Sequence, residues 1–69
     1  MKLSARNVLS GKIISIDEGM VTAKVKIGLK NGEVITSIIS KESVADLELK
    51  PGDDAYAIIK STEVLIAKP

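Results

Sequence analysis

VTAKVKIGLKNG, residues 21–32, is the stretch that decides the fold of this chain. Apolar and polar side chains alternate strictly at its start, which is the period of a β-strand with one buried face. The apolar side chains on that face are Val21, Ala23, Val25 and Ile27. Asn31-Gly32 is a strong hairpin signal, because both residue types tolerate a positive φ. The stretch therefore predicts a strand, a tight turn and a return strand over residues 33–40.

Three further strands are predicted outside this hairpin. Ser10–Ile16 is rich in β-branched residues and ends at the turn signal Asp17-Glu18-Gly19, and we expect the residues before Ser10 to extend it. Pro51-Gly52 suits a type II turn. Two last strands are predicted after that turn, over Ala55–Lys60 and Val64–Ala67. Five short strands predict an all-β fold, a small Greek-key barrel that is closed or partly open.

One short helix interrupts the strands. Ser40 is expected to cap a helical turn over Lys41–Leu47, because serine hydroxyls accept hydrogen bonds from free N–H groups at helix starts. Val44 and Leu47 would both pack inward, since residues three apart share a helix face. The predicted architecture is thus five strands with one short helical turn, in a single domain over residues 1–69.

The composition of the chain favours self-association. A domain of 69 residues is marginally stable alone, and without Cys or His it has neither disulfides nor a plausible structural zinc site. On a strand, adjacent side chains point to opposite faces, so each of three Ile pairs would direct one side chain outward. These pairs are Ile13-Ile14, Ile38-Ile39 and Ile58-Ile59. The pattern favours a subunit interface over scattered exposed aliphatic side chains.

Charge and motif content exclude several classes of function. The net charge is +1 and Tyr56 is the single aromatic residue, so the chain lacks both the basic field and the stacking surface of a nucleic-acid binder. No segment predicts a transmembrane helix or a signal peptide, so we expect a cytoplasmic protein without a membrane partner. The chain has no carboxylate pair or Gly-x-Ser-x-Gly motif, and we expect it not to be an enzyme.

Two polar segments at opposite ends of the chain each combine a cation with hydroxyl donors. They are Ser4-Ala5-Arg6-Asn7 and Lys60-Ser61-Thr62, and neither contains an acidic residue. A doubly charged oxyanion accepts charge-assisted hydrogen bonds on every side, which suits this combination. The small side chain of Ala5 would also let backbone N–H groups approach the anion. Each segment alone is equally compatible with solvated side chains, but together they predict one anion pocket.

A third candidate lies at the start of the predicted helix. Ser40 is the expected N-cap and Ser43 lies three residues further on, where free N–H groups attract anions. Ordinary capping would use the oxygen of Ser40 as an acceptor, but a hydroxyl also donates. Glu42 counts against an anion here unless its side chain faces solvent. Ser40 and Ser43 are therefore candidate anion ligands.

Taken in order, these segments resemble those of a molbindin. Molbindins are the single-domain form of the Mop family of molybdate- and tungstate-binding domains, which is related to the TOBE modules of molybdate transporters and regulators. The resemblance spans essentially the whole chain. It rests on Ser4-Ala5-Arg6-Asn7 with Gly11-Lys12, on Thr36-Ser37-Ile38-Ile39-Ser40, and on Lys60-Ser61-Thr62. It implies a five-stranded OB-like barrel that assembles into a hexamer, a trimer of dimers.

The resemblance also implies where the anion binds. Molybdate or tungstate would be held at subunit interfaces for intracellular storage, with no covalent cofactor and no metal bound as a bare cation. The implied ligands are Ser4, Ala5, Arg6, Lys60 and Ser61, joined by Ser40 and Ser43 from a neighbouring subunit. Two alternatives stay open, an OB-like nucleic-acid-binding module and a structural or partner-binding oligomer.

Overall fold

A computed structural model describes all 69 residues. It contains four strands, one α-helix and a 3₁₀ turn at Ser61–Glu63. The elements are β1 (Asn7–Glu18), β2 (Thr22–Leu29), β3 (Val34–Ser40), α1 (Lys41–Asp46) and β4 (Asp54–Ile59). The strands form one antiparallel sheet in the order β3-β2-β1-β4, so β3 and β4 are its two edges. The predicted all-β class with one short helix is confirmed.

The long strand β1 makes the sheet curl. Its first half pairs with β4 and its second half pairs with β2, so the two neighbours meet it at different heights. The register with β2 shifts between Ile13 and Ser15, which marks Ile14 as a β-bulge, and bulges bend and twist a strand. The resulting concave face holds the core.

The core consists of one small apolar cluster. Its buried members are Ile13, Ala23, Val25, Ile27, Val44 and Ala57. The predicted alternation on β2 is confirmed for Ala23, Val25 and Ile27, which are at most 6% exposed. The inward position predicted for Val21 is wrong, because Val21 is 74% exposed in the turn before β2. There its carbonyl accepts a hydrogen bond from the backbone N–H of Lys41, which holds the turn but leaves the side chain in solvent.

The turns predicted at Asn31-Gly32 and Pro51-Gly52 are present, whereas Asp17 and Glu18, which were expected in a turn, still belong to β1. The hairpin loop between β2 and β3 holds Lys30, Asn31 and Gly32, and of these only Gly32 has a positive φ, at 89°. Its backbone N–H donates to the carbonyl of Leu29, so the turn is one residue longer than a two-residue Asn-Gly loop. Gly52 has a φ of 93° and the N–H of Asp53 donates to the carbonyl of Lys50. This is the type II turn that Pro51-Gly52 predicts.

The short helix α1 begins as predicted and ends earlier. The hydroxyl of Ser40 accepts from the N–H of Ser43, and Val44 is buried. The inward packing predicted for Leu47 is wrong, because Leu47 is the C-cap and is 66% exposed. The chain reverses at Glu48, whose φ is 52°, and the N–H of Leu49 donates to the carbonyl of Val44. Leu49 therefore packs against the core in the place predicted for Leu47.

The fifth strand predicted over Val64–Ala67 does not form within the chain. Glu63 and Val64 donate to the carbonyls of Lys60 and Ser61 in the 3₁₀ turn, and the residues that follow pair with no strand. Because these hydrogen bonds close a 3₁₀ turn, the chain does not form the hairpin loop that would return it along β4. The sheet is left open between its two edges.

The Ile pairs have the orientation predicted from the sequence. Ile13 is buried and Ile14 is 52% exposed, and the outward members of the other pairs, Ile38 and Ile58, are 61% and 46% exposed. The outer face of the sheet is therefore partly apolar. None of the helices has the length and hydropathy required to span a membrane.

Candidate anion-binding site

The ladder between β1 and β4 brings the two ends of the chain together. Its last pair is Asn7 with Ile59, and the side-chain amide of Asn7 also donates to the carbonyl of Ile59 over 3.2 Å. Arg6 precedes Asn7 and Lys60 follows Ile59, so both cations lie next to the last pair of this ladder. The segments Ser4-Ala5-Arg6 and Lys60-Ser61, separate in sequence, thus leave the sheet side by side.

The two cations at this end have no carboxylate partner. The structure contains two ion pairs, Lys12 with Asp54 and Lys50 with Asp53, and neither includes Arg6 or Lys60. Arg6, Lys60, Ser4 and Ser61 are all exposed. Their charges and hydroxyl donors are therefore available to an anion from solvent.

Lys60 also lies at the mouth of a groove between the edge strands. A cavity of about 400 Å³ is lined from one side by Ile35, Thr36 and Ser37 and from the other by Ala57, Ile59 and Lys60. We call this space the β3–β4 groove. Thr36 and Ser37 line the wall opposite Lys60, although sequence reasoning did not select them as ligands. The signal that could have found them is the Thr36-Ser37 pair within the family segment Thr36-Ser37-Ile38-Ile39-Ser40.

Ser40 and Ser43 lie elsewhere. Ser40 pairs with Thr22, whose strand neighbours the Glu18 end of β1, whereas Arg6 precedes the Asn7 end. A strand of this length spans on the order of 35 Å if straight. The pairing therefore places Ser40 and Ser43 near the opposite end of β1 from Arg6.

The two serines are linked by their own hydrogen bonds. The oxygen of Ser40 accepts from the N–H of Ser43 at 3.0 Å, and the Ser40 hydroxyl donates to the Ser43 oxygen at 2.8 Å. Ser40 thus uses its proton within the chain. Ser43 keeps a hydroxyl proton that no other group accepts, so it is the better donor of the two.

Lys12, which belongs to the first family segment through Gly11-Lys12, is already paired. Its ammonium lies 2.6 Å from a carboxylate oxygen of Asp54, its partner on β4. This hydrogen bond, together with the opposite charge, raises the pKa of Lys12 and lowers the pKa of Asp54. Both groups are fully exposed, so the pair is screened by salt and adds little to stability. Lys12 is not a free cation of the kind found at Lys60.

Comparison with protein families decides the classification. The model of the TOBE domain matches residues 3–66. This chain belongs to the TOBE domain family. Molybdenum-pterin-binding protein 3 of Clostridium pasteurianum is a relative, 47% identical over 66 residues that cover 96% of this chain and 97% of the relative. The resemblance to the Mop proteins is thereby confirmed.

Solved structures of two molybdate-binding proteins share the fold. A molybdate-binding protein from Sporomusa ovata superimposes with a TM-score of 0.93 and 40% identity, covering 99% of this chain and 100% of its own. The cytoplasmic molybdate-binding protein ModG, in a form with molybdate bound, gives a TM-score of 0.85 and 49% identity. That match covers 88% of this chain and 43% of ModG. The TOBE fold of this chain is thus one that other proteins use to hold an oxyanion.

No cluster of His, Cys, Asp and Glu in the structure has the arrangement needed to hold a metal ion. The polar groups near Arg6 and Lys60 are donors, apart from the exposed carboxylate of Glu63, which lines the same groove. Such a donor set fits an oxyanion in which the metal is already surrounded by oxygen.

Proposed function

We propose that this protein binds molybdate, and also tungstate, between the subunits of a homo-oligomer. The observation that supports the proposal is the Asn7–Ile59 pair, because Arg6 and Lys60, which take part in neither ion pair, are the chain neighbours of these two residues. Relatives that align over nearly their whole length carry names that refer to molybdenum or molybdate. The geometry and the relatives support the same class of ligand.

Within this proposal each residue has a distinct task. Arg6 and Lys60 supply charge, and the backbone around Ala5 supplies N–H donors. Ser4 and Ser61 donate hydroxyl protons from the same chain. Ser40 and Ser43 complete the site from a second subunit, because their own chain holds them far from Arg6. Ser43 donates to the anion while Ser40 orients it.

The assembly we propose is a hexamer, a trimer of dimers. A site that takes donors from two chains requires contact between copies, and the outward Ile side chains offer an apolar surface for that contact. Binding at such a site stabilises the assembly by mass action. The measured mass of the assembly is enough to distinguish a hexamer from a dimer.

The role we propose is storage rather than catalysis. Nothing in the donor set would cleave or form a covalent bond, and the anion would be held and released unchanged. The similarity to ModG, which is a cytoplasmic protein, supports the same location for this chain. We propose that residues 1–69 act as a single binding domain.

Isothermal titration calorimetry of molybdate against an Arg6→Ala variant tests the site. Loss of a charge-assisted hydrogen bond of about 1.5–3 kcal/mol predicts roughly 10- to 150-fold weaker binding. Lys30→Ala is the matched control, because it removes an equally exposed cation in the β2–β3 loop. Equal affinity of the two variants for molybdate would remove Arg6 from the site.

Native mass spectrometry with and without molybdate tests the assembly and the function together. We expect a hexamer that gains discrete molybdate masses. If no molybdate mass is gained, and a filter assay shows salt-sensitive retention of single-stranded oligonucleotides, the OB-like nucleic-acid module is favoured instead. An oligomer that binds neither would favour the structural or partner-binding alternative.

A further inference from the structure

The hairpin loop between β2 and β3 holds the one asparagine of this chain that precedes a glycine. Asn31 and Gly32 are both exposed, and a Cβ built on Gly32 would meet no atom within 4 Å. The other asparagine, Asn7, is half-buried in β1 and precedes the β-branched Val8, which shields its own backbone nitrogen. The loop alone therefore places a side-chain amide next to an unshielded backbone nitrogen.

Three hydrogen bonds hold these two groups in place. The side-chain oxygen of Asn31 accepts from the backbone N–H of Glu33 over 3.0 Å, and its amide nitrogen donates to the Glu33 carboxylate over 3.1 Å. The N–H of Gly32 donates to the carbonyl of Leu29 over 3.0 Å. At an exposed loop water replaces such bonds readily, and each contributes only about 0.5–1.5 kcal/mol. The loop therefore opens locally at low cost.

We propose that Asn31 is a site of spontaneous deamidation and that Glu33 sets its rate. The backbone nitrogen of Gly32 forms a bond to Cγ of Asn31. The bond from Cγ to Nδ2 breaks, and the amide nitrogen leaves as ammonia with the proton given up by Gly32. One water molecule then opens the resulting succinimide. Opening on one side gives aspartate at position 31, opening on the other gives isoaspartate, and neither step oxidises or reduces the chain.

Glu33 slows this reaction because it binds the group that must leave. The amide nitrogen lost as ammonia is the donor of the hydrogen bond to the Glu33 carboxylate, so that bond must break before the nitrogen departs. Gly32 must also release the N–H that it donates to Leu29. The reaction therefore depends on the opening of the loop, and the hydrogen bond from Asn31 to Glu33 adds to the cost of that opening.

Either product changes the hairpin. Both replace an amide by a carboxylate, which lowers the formal net charge from +1 to zero and sets a second negative charge beside Glu33. Isoaspartate also adds a methylene group to the backbone before Gly32, which disturbs the turn hydrogen bond from Gly32 to Leu29. Because β3 is an edge strand that pairs with β2 alone, a loosened turn acts directly on its pairing.

Peptide mass spectrometry tests the site, after the folded protein has been incubated in mildly alkaline buffer without molybdate. We expect Asn31 to be converted to aspartate and isoaspartate, which chromatography separates, while Asn7 in the same molecules keeps its amide. An unchanged Asn31 would overturn the proposal, and so would equal conversion of the two asparagines. No anion is added, so the outcome is independent of the function proposed above.

Variants of Glu33 test its control of the rate. Glu33→Ala removes the acceptor, and loss of a hydrogen bond of about 0.5–1.5 kcal/mol predicts roughly 2- to 12-fold faster deamidation of Asn31. Glu33→Gln keeps a side-chain oxygen that accepts the same bond, so its rate should stay near that of the original protein. Glu42→Ala, which removes an exposed carboxylate on α1, is the control.

Two results would overturn the role of Glu33. One is a rate in Glu33→Ala no higher than in Glu42→Ala. The other is equal acceleration by alanine and glutamine, which would assign the effect to the lost charge and not to the hydrogen bond with Asn31.

Discussion

The side-chain amide of Asn7 donates a hydrogen bond to the backbone carbonyl of Ile59, the residue that it faces across the β1–β4 ladder. The bond spans 3.2 Å and is half-buried. It reinforces the last pair before the two strands separate. Everything that we propose for the anion site begins one residue beyond it, at Arg6 and Lys60, and the Asn7 amide holds together the strand ends that lead to these two cations.

Replacing Asn7 by Leu should weaken molybdate binding while leaving the fold intact. A side-chain hydrogen bond of about 1 kcal/mol predicts roughly fivefold lower affinity, because the two cations would be held together less firmly. Asn31→Leu is the control, since Asn31 also hydrogen-bonds through its side chain but lies in the β2–β3 loop. Titration calorimetry gives both affinities. Full affinity in Asn7→Leu would show that backbone pairing alone positions the site.

Phosphate should bind far more weakly than molybdate. At neutral pH phosphate keeps at least one proton, and the proposed ligands, which do not include the nearby carboxylate of Glu63, offer that O–H no charged acceptor. An unsatisfied buried donor costs about 1–3 kcal/mol, which corresponds to roughly 5- to 150-fold in affinity. Competition of phosphate and sulfate against molybdate measures the difference. Sulfate carries no proton, so displacement of molybdate by phosphate and sulfate at equal concentrations would contradict the donor-only site.

The sequence predicts the turns, the helix cap and the strand faces of this protein better than it predicts how the sheet closes. Ser40, Gly52 and the β2 alternation behave as expected, because caps, turns and strand faces depend on a few adjacent residues. Leu47 was wrongly placed inside, because Glu48 reverses the chain in a left-handed conformation that glutamate seldom adopts. This conformation of Glu48 allows the N–H of Leu49 to donate to the carbonyl of Val44 at the helix end, and residue spacing does not reveal that hydrogen bond.

The candidate site shows the same division. The sequence predicts that Ser4–Arg6 and Lys60–Ser61 meet, and the two segments flank the last pair of the β1–β4 ladder, Asn7 with Ile59. It also groups Ser40 and Ser43 with them, and within one chain the fold keeps these apart. A sequence pattern records which residues share a ligand but not which subunit contributes each. Residues 64–67 have a high strand propensity but form no strand in this chain, because propensity does not specify a pairing partner.

Replacing Glu48 by Gly should stabilise the protein. Glu48 has a φ of 52° at the end of α1, where glycine is usual because it has no Cβ to collide with the carbonyl. Relief of about 1–2 kcal/mol, partly offset by the greater freedom of glycine when unfolded, predicts a net gain of up to about 1 kcal/mol. The midpoint temperature of thermal unfolding, measured at fixed protein concentration, would then rise by up to roughly 4–8 °C.

Glu48→Ala serves as the control for this change. It removes the same charge and side chain but keeps a Cβ in the left-handed conformation, so its unfolding midpoint should stay near that of the original protein. If alanine and glycine stabilise equally, the gain comes from the lost carboxylate, and the strain at Glu48 is not its cause.

Two glycines on facing strands should respond very differently to alanine. A Cβ on Gly11 would collide with the carbonyl oxygen of Gly28, which is backbone, and would lie 2.9 Å from a methyl group of the buried Ile27. A Cβ on Gly28 would instead meet the Cδ1 of Ile14 at 2.8 Å. The Ile14 side chain is half-exposed and can rotate away, whereas the Gly28 carbonyl is held in the sheet.

We therefore expect Gly11→Ala to destabilise the protein by about 3 kcal/mol, the upper end of the usual cost of overpacking, and Gly28→Ala by less than about 1 kcal/mol. Neither glycine has a positive φ, so the contrast reports space and not backbone conformation. Urea unfolding of both variants at one protein concentration measures it. Equal losses would mean that the β1–β2 contact is looser than the structure shows, and that the curl of β1 does not depend on Gly11.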